Sequence, residues 1–463
     1  MQDERILSIM TDHETIFALA TPQGRSALQI IRISGEGSAR ILRKLAGHCP
    51  PPRQMTHAAL SLDGHAVDDA MIVFFKNPAS ATGEDTAELH LHGSPVIGRM
   101  IMEWLETQPR CRLADHGEFT RRAFLNGKIN LDQAEGIADV IDADTSAQHK
   151  QALRQLDGVL SNTTENWRLQ LIALSGHLEA LIDFADEDLP DDVTKDVQVG
   201  ITTLSNQMDL SLETAEAGLI GRDGFSIAII GRPNAGKSTL LNRWVGDDRA
   251  IVSAEAGTTR DLVHVSLDMN GIAIHLTDTA GIRHDTAVGT VEREGIRRAI
   301  TAAQNARLII MLIDHADDDV MATYAELRQS VAASLSQADD MPEILPVLSK
   351  GDLLEKGKML PEWLMISVET GAGMPALFDQ ISQRIAALTA TTEAPLLTRH
   401  RHITAVRQAY DALSRAADLD LDSEPELMAE EFRLAASALG RISGRVDVED
   451  LLDHIFSSFC IGK

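Results

Sequence analysis

The apolar residues of this chain change their spacing several times between the two termini. Near the N-terminus, "TIFALAT", "ALQIIRIS" and "AMIVFF" are short β-rich runs that read as strands. "SARILRKLAG" and "PVIGRMIMEWLET" repeat apolar residues at the spacing of one helix face. Residues 15 to about 115 are therefore expected to be α+β. From about 118 to 220 the strand signal disappears and long amphipathic helices take over, as in "LDQAEGIADVIDADTSAQHKQALRQLDGVLSNTTENWRLQLIALSGHLEALIDF". Between 225 and 388, "FSIAIIG", "IAIHLTD", "ARLIIMLID" and "EILPVLS" read as strands with helical segments between them, as a parallel sheet with crossovers requires. After about 395 the pattern is helical again.

These patterns divide the chain into 1–117 (α+β), 118–220 (helical), 221–388 (α/β) and 389–463 (helical). The fold class expected is multidomain, α+β and α/β. The simplest arrangement joins the two helical stretches into one bundle and inserts the α/β domain within it, because insertion requires only that the ends of the insert lie close together. Independent beads along the chain are the competing arrangement.

Composition narrows the setting. A chain of 463 residues with 44% hydrophobic and 24% charged content is globular and too long for one ordinary core. No apolar run reaches the roughly 18 residues of a membrane helix, so no membrane association is expected. The opening "MQDERILSIMTDHE" is acidic where a secretory signal would be basic and then apolar, so a cytoplasmic location is expected. Cys49, Cys111 and Cys460 are far apart and odd in number, which argues against a disulfide framework or a cysteine zinc cluster.

The net charge of −27, from 69 acidic and 42 basic residues, opposes non-specific adhesion to nucleic acid or anionic lipid. Any RNA contact must be local or shared with a basic partner. Two groups offer one: Arg121, Arg122 and Lys128, and the run Arg399, His400, Arg401, His402 and Arg407. Solvated basic faces are the plainer reading of both. The acidic segments "DHADDDV" (314–320) and 183–192 read as solvated loops.

The α/β segment carries the clearest chemistry. "GRPNAGKS", Gly231 to Ser238, fits G-x-x-x-x-G-K-[ST] and sits between an apolar strand and the helix "STLLNRW". Gly231 and Gly236 let the backbone curl so that its N–H groups and the helix N-terminus face phosphates. Within Asn234, Ala235, Gly236, Lys237, Ser238 and Thr239, Lys237 suits β/γ charge and Ser238 suits Mg²⁺. Asp278-Thr279-Ala280-Gly281 follows another apolar strand, where the aspartate suits the Mg²⁺ shell and the glycine N–H a γ-phosphate. Thr259 in "GTTRD" is the candidate switch threonine on Mg²⁺.

Ser349-Lys350-Gly351-Asp352 stands where GTPases read Asn-Lys-x-Asp. A carboxylate at Asp352 accepts from the N1 and N2 donors that guanine has and adenine lacks, which selects GTP over ATP. Serine at 349 loses an amide able to tie this loop to the phosphate loop. Ser367-Val368-Glu369 occupies the place of Ser-Ala-Lys, a second departure in the base pocket. Ile282 cannot orient water as the glutamine of Ras-like proteins does, so hydrolysis needs another group, such as Glu292, or a cation held with the help of Asn234.

With these motifs in place, the chain resembles the MnmE (TrmE) family of bacterial tRNA-uridine modification GTPases over nearly its full length. The resemblance rests on "ATPQGR", "IIRISG", "TGEDTAELHLHG", "GEFTRRAFLNGKINLDQAE", the GTPase motifs and the terminal "IFSSFCIGK". It implies an N-terminal folate-binding-like domain that dimerises. It further implies a 5-formyl- or methylene-tetrahydrofolate site at Arg32, Glu88, Lys128 and Lys463, and GTPase domains that pair in the presence of K⁺ through Asn234, Ser253, Glu255 and Thr258. Glu292 matches the family's water-activating glutamate, and Cys460 the family cysteine, with a role in the modification or in packing.

The partners implied are a second copy of the chain, an FAD-containing subunit of the GidA/MnmG type in a heterotetramer or larger complex, and tRNA. The activity implied is GTP hydrolysis coupled to addition of a carboxymethylaminomethyl or aminomethyl group at C5 of the wobble uridine. Two other readings stay open: a GTP-dependent assembly factor, and a folate-dependent aminomethyl-type enzyme with a degenerate G domain. His90 and His92 alternate on one strand without a third ligand, and no metal is expected there.

Overall fold

The computed structural model describes residues 14–183, 191–246, 250–251, 264–278, 303–304, 306–335, 341–354, 362–390, 394–421, 423–446, 449–457 and 459–462. Ser253, Glu255, Thr258, Thr259, Thr279, Ala280, Gly281, Glu292 and Lys463 lie outside these residues, and Asp278 is described only as the end of its strand. The chain forms two compact units. One comprises Met1–Ala138, Gln155–Ala173 and Arg433–Lys463; the other comprises Asp139–Arg154 and Leu174–Phe432.

The first unit is built on a six-stranded sheet in the order β3-β4-β5-β2-β1-β6. Its strands are β1 (Thr15–Leu19), β2 (Leu28–Ser34), β3 (Thr56–Leu62), β4 (His65–Phe75), β5 (Thr86–His92) and β6 (Cys111–Leu113). Neighbours run antiparallel except β1 and β6, which are parallel. Alternation along the strands decides what each face carries. Phe17, Ile31, Ile33, Leu89 and Leu91 point into a core closed by Ile41, Leu42, Leu45, Ile101 and Leu105 of helices Ser38–Ala46 and Pro95–Glu106. Each such side chain contributes about 1.5–3 kcal/mol by leaving water. Ile16 and Ala18 face the other way, onto Phe119 and Ala114.

The end of the chain returns to this sheet. Helix Glu449–Ser457 packs Leu452 and Phe456 against Leu131 and Ala134, and Ile461 then forms an antiparallel bridge with His116. Gly462 has φ +99°, and a Cβ there would fall 2.2 Å from the Leu19 carbonyl oxygen, so only glycine lets the tail lie against β1.

The second unit holds a seven-stranded sheet in the order β13-β12-β11-β7-β10-β9-β8. Its strands are β7 (Phe225–Ile230), β8 (Ala250–Ile251), β9 (His264–Met269), β10 (Ile272–Asp278), β11 (Leu308–Asp314), β12 (Glu343–Ser349) and β13 (Leu364–Met365). Pairing is parallel from β13 to β10 and antiparallel at β10/β9 and β9/β8. Helices Lys237–Val245 and Met374–Thr389 cover one face, with Trp244, Leu240, Leu377 and Ile381 in its core. Helix Val320–Ser334 covers the other.

Helical segments on either side of the α/β region pack within the same unit. Arg222 and Arg399 both reach Asp139, at 3.0 and 2.7 Å, and Thr145 donates to the Gly271 carbonyl at 2.8 Å. A Cβ on Gly218 would meet the Leu397 carbonyl oxygen at 2.0 Å, so glycine permits the close crossing there.

The strands read from the sequence are present as β1, β2, β4, β7, β10, β11 and β12, and both N-terminal helices are found. The solvated-charge readings need correction. Arg122 pairs with Glu118 at 2.9 Å and Glu84 at 3.1 Å, Arg121 lies 3.3 Å from Asp453, and Lys128 donates to the Pro78 carbonyl at 2.9 Å. His402 is fully buried and Arg399 is held by Asp139. Arg121, Arg122 and Arg399 are thus held by acidic residues of the elements they fold against, whereas Lys128, His400 and Arg407 remain exposed. The segment 314–320 is a turn with Ala316, Asp318 and Asp319 exposed, but it is anchored at both ends: Asp314 pairs with Lys350, and Asp319 caps helix Val320–Ser334 by accepting from the Ala322 N–H.

Candidate functional site

The phosphate loop runs from the end of β7 into helix Lys237–Val245. β7 is flanked by β10 and β11, so its C-terminal end is the switch point of the sheet, where open α/β folds receive ligands. Asn234 (φ +66°) and Gly236 (φ +96°) turn the backbone through the left-handed region. A Cβ on Gly231 would lie 2.3 Å from the Leu312 carbonyl oxygen, so the loop starts with glycine because β11 crowds it. The Lys237 ammonium is buried within the loop and donates to the Gly231 and Arg232 carbonyls at 2.9 and 3.0 Å. A cation fixed at the mouth of a helix N-terminus is a receptor for phosphate.

Two further loops meet beside β12. Ser349 ends that strand, buried, with its Oγ donating to the Ile313 carbonyl at 3.2 Å. Lys350 follows in the left-handed region (φ +58°) with Nζ 2.6 Å from Asp314 Oδ2. Burial alone would raise the Asp314 carboxyl, but the Lys350 ammonium and the Ala316 N–H outweigh it and hold it below its ordinary value.

Asp352 lies in the short turn Gly351–Leu353 and accepts from Ser367 Oγ at 2.6 Å. That hydrogen bond holds the Asp352 carboxyl below its ordinary value, so it is an acceptor at neutral pH. The loop supplying Ser367 is fixed by Ser367 N–H to Ala372 O and Gly371 N–H to Ser367 O, both 2.9 Å. Gly373, with φ +76°, closes it where a Cβ would come within 2.1 Å of the Met365 carbonyl oxygen. Val368 packs on the core beneath, and Glu369 is exposed.

In the first unit, Arg32 on β2 stands directly opposite Glu88 on β5. Its Nε lies 3.0 Å from Glu88 Oε1 and its guanidinium 5.8 Å from the centre of the Phe119 ring. His90 Nε2 approaches the other Glu88 oxygen at 3.2 Å, whereas His92 pairs with Asp68 at 2.7 Å. The structure thus joins Arg32 to Glu88. Lys128 sits in a separate set of contacts, on the Pro78 carbonyl and against the Gly83 turn. Cys460 is exposed, and its carbonyl accepts from the Gly117 N–H at 3.5 Å.

The model of the "GTP-binding protein TrmE N-terminus" matches residues 15–128, and that of the "MnmE helical domain" matches 131–460. The tRNA modification GTPase MnmE of Paramagnetospirillum magneticum is 44% identical over 459 residues, covering 97% of this chain and 100% of that protein. The protein of the same name from Parvibaculum lavamentivorans is 43% identical over 462 residues, with 97% and 100% covered. The chain belongs to the MnmE family of tRNA modification GTPases.

Within this MnmE-family chain, the sequence pattern picked out the phosphate loop, Asp352 and Ser367, while Arg32 and Glu88 came separately from the resemblance, without their pairing. It missed the part played by Asp314 and His315. The signal was available: "LIIMLID" runs straight into His315, and in a parallel sheet the end of that strand lies beside the end of "EILPVLS".

Proposed function

We propose that this chain hydrolyses GTP to GDP and phosphate and, with an FAD-containing partner of the GidA/MnmG type, adds a carboxymethylaminomethyl or aminomethyl group at C5 of the wobble uridine of certain tRNAs. The observation that carries the nucleotide part is the Ser367–Asp352 hydrogen bond at 2.6 Å, which presents an ionised carboxylate beside the phosphate-loop side of the sheet. An ionised carboxylate accepts from guanine N1–H and N2–H and has nothing to donate to adenine N1.

Ser238 and Thr259 are the proposed Mg²⁺ ligands, and the metal would neutralise charge on the β- and γ-phosphates. Lys237 fits the same anion, since its ammonium is already turned into the loop. Asn234, Ser253, Glu255 and Thr258 are the proposed K⁺ site, formed when two G domains of a homodimer pair. Glu292 would then orient the attacking water. Arg32, Glu88, Lys128 and Lys463 are the proposed folate site, and the residues suit it: a carboxylate backed by Arg32 and His90 matches a pterin edge, and exposed Lys128 matches a glutamate tail. The same reading takes 1–117 as the dimerising domain, 221–388 as a G domain inserted between helical parts 118–220 and 389–463, and the cytoplasm as its location. None of the described helices is long and apolar enough to cross a membrane.

The test is GTP hydrolysis in potassium against sodium buffer for the unaltered chain and for Glu292→Ala, with 5-formyltetrahydrofolate binding measured in parallel. A potassium requirement, lost turnover with intact nucleotide binding in the variant, and folate binding support the proposal. Equal rates in both salts remove the dimer-activated mechanism. Absence of folate binding favours an assembly factor that transfers no carbon.

A further inference from the structure

The serine at 349 leaves a question about the base loop: what holds it in place without the asparagine amide? Ser349 Oγ is committed to the Ile313 carbonyl, inside the sheet, and does not extend beyond it. Ser367 Oγ holds Asp352 and the Ile366 carbonyl takes the Gly351 N–H at 2.9 Å, while the start of the loop is reached from the segment just after β11, whose His315 backbone N–H lies 3.5 Å from the Ser349 carbonyl oxygen. His315 is buried, and its Nδ1 lies 3.1 Å from the Ser349 carbonyl oxygen. A carbonyl can only accept, so the imidazole donates from Nδ1. Asp314 Oδ2 takes the Lys350 ammonium at 2.6 Å. The segment is itself folded into a turn by Ala316 N–H to Asp314 Oδ1 at 3.0 Å and Asp317 N–H to Asp314 O at 3.1 Å.

The same segment also reaches the phosphate loop. Arg232, the second residue of that loop, forms an ion pair with Glu326 and lies 3.9 Å from Asp317. Residues 314–317 therefore contact both loops that the missing amide would have joined.

We propose that His315 is a positioning residue for guanine recognition, with the turn 314–317 replacing the asparagine tie between the base loop and the phosphate loop. This rests on the GTP reading above. His315 acts through the Ser349 carbonyl, which sets the path of the backbone into Lys350 and Asp352. Asp314 acts through Lys350. The two contacts fix successive residues of the loop ahead of Asp352, whose carboxylate is in turn held by Ser367.

The experiment is a titration of the full-length chain with a fluorescent GDP analogue, together with KM and kcat for GTP. The proteins are the unaltered chain, His315→Ala, His315→Gln, Ser349→Asn and the double variant His315→Ala/Ser349→Asn. Losing one such hydrogen bond is expected to weaken GDP binding about tenfold in His315→Ala, raising KM with little change in kcat. In the Ser349→Asn background the amide restores a tie, and the same change is expected to cost less than about threefold. His315→Gln, which keeps a side-chain N–H donor, is expected to recover most of the loss and guards against a variant that merely fails to fold.

An equal loss in both backgrounds, or a fall in kcat at constant KM, overturns the inference while leaving the proposed function standing. No binding of GDP by the unaltered chain removes the GTP reading and the inference with it.

Discussion

Glu118 offers the sharpest test of how the first unit is held together. It is buried, and its two oxygens accept from Arg112 Nη1 and Nη2 at 2.8 Å each, from Arg122 Nη2 at 2.9 Å and from the Asp115 N–H at 2.8 Å. Hydrogen bonds to a charged group are worth about 1.5–3 kcal/mol net, and breaking a buried pair costs about 3–5 kcal/mol when its partner is left alone. Neither arginine would be left alone: Arg112 keeps Glu14 at 3.0 Å and Arg122 keeps Glu84 at 3.1 Å. Arg112 is also 35% exposed, so water screens it. The expected cost of Glu118→Gln is therefore about 2 kcal/mol, or roughly thirtyfold in a local opening equilibrium.

Because a chain of two units need not unfold in one step, the suitable assay is amide hydrogen exchange read peptide by peptide. Peptides from helix Glu118–Leu125 should exchange about thirtyfold faster in the variant, while those from helix Lys237–Val245 should not change. Burial alone would raise the Glu118 carboxyl, but Arg112, the Asp115 N–H and Arg122 outweigh it and hold it below its usual value of about 4.5. A carboxyl depressed in the folded state stabilises fully above its ordinary value and loses that contribution as pH falls through the folded one. The difference between the two proteins should thus be complete at pH 7 and shrink as pH drops below that usual value. Equal exchange at pH 7 would refute the reasoning.

Gly231→Ala sets a methyl group against the Leu312 carbonyl oxygen at 2.3 Å, so β11 or the loop must shift at about 1–3 kcal/mol, and both GDP affinity and the melting temperature should fall. Gly462→Val drives its side chain into the Leu19 carbonyl and should free the C-terminal tail, increasing hydrogen exchange of the His116 peptide while GTP hydrolysis per chain stays unchanged. Burial pushes the Cys111 thiol up to about 11, so at pH 8 maleimide should label exposed Cys460 and spare Cys111 until the chain is unfolded, as peptide mass spectrometry would report.

What the sequence discloses depends on how local the cause is. β7 and β11 are legible because both their faces are buried, which leaves near-continuous apolar runs, "FSIAII" and "LIIMLID". β3, "THAALSL", is half exposed and carries few large apolar residues. β8 and β13 are two residues long, too short for any period to show. The phosphate loop is legible because its chemistry is contiguous. Partners are not: Arg122 meets Glu84 38 positions away and Arg399 meets Asp139 260 positions away, so a basic cluster in sequence carries no mark of whether carboxylates will cover it.

That covering bears directly on how an RNA could be engaged. A phosphate group approaching Arg122 has to displace Glu84 or Glu118, and one approaching Arg399 has to displace Asp139. The displaced carboxylate then loses one cation in a partly buried place, Glu118 keeping Arg112 and Asp139 keeping Arg222, which offsets the new contact. The long-range field of a chain with net charge −27 opposes the approach as well, and added salt screens that repulsion without creating an attraction. Affinity for RNA through counterion release requires cations that are free to meet phosphates. Arg122 and Arg399, one from each basic cluster that the sequence offers for that purpose, are already engaged inside the fold, which fits the reading in which RNA contact is shared with a basic partner.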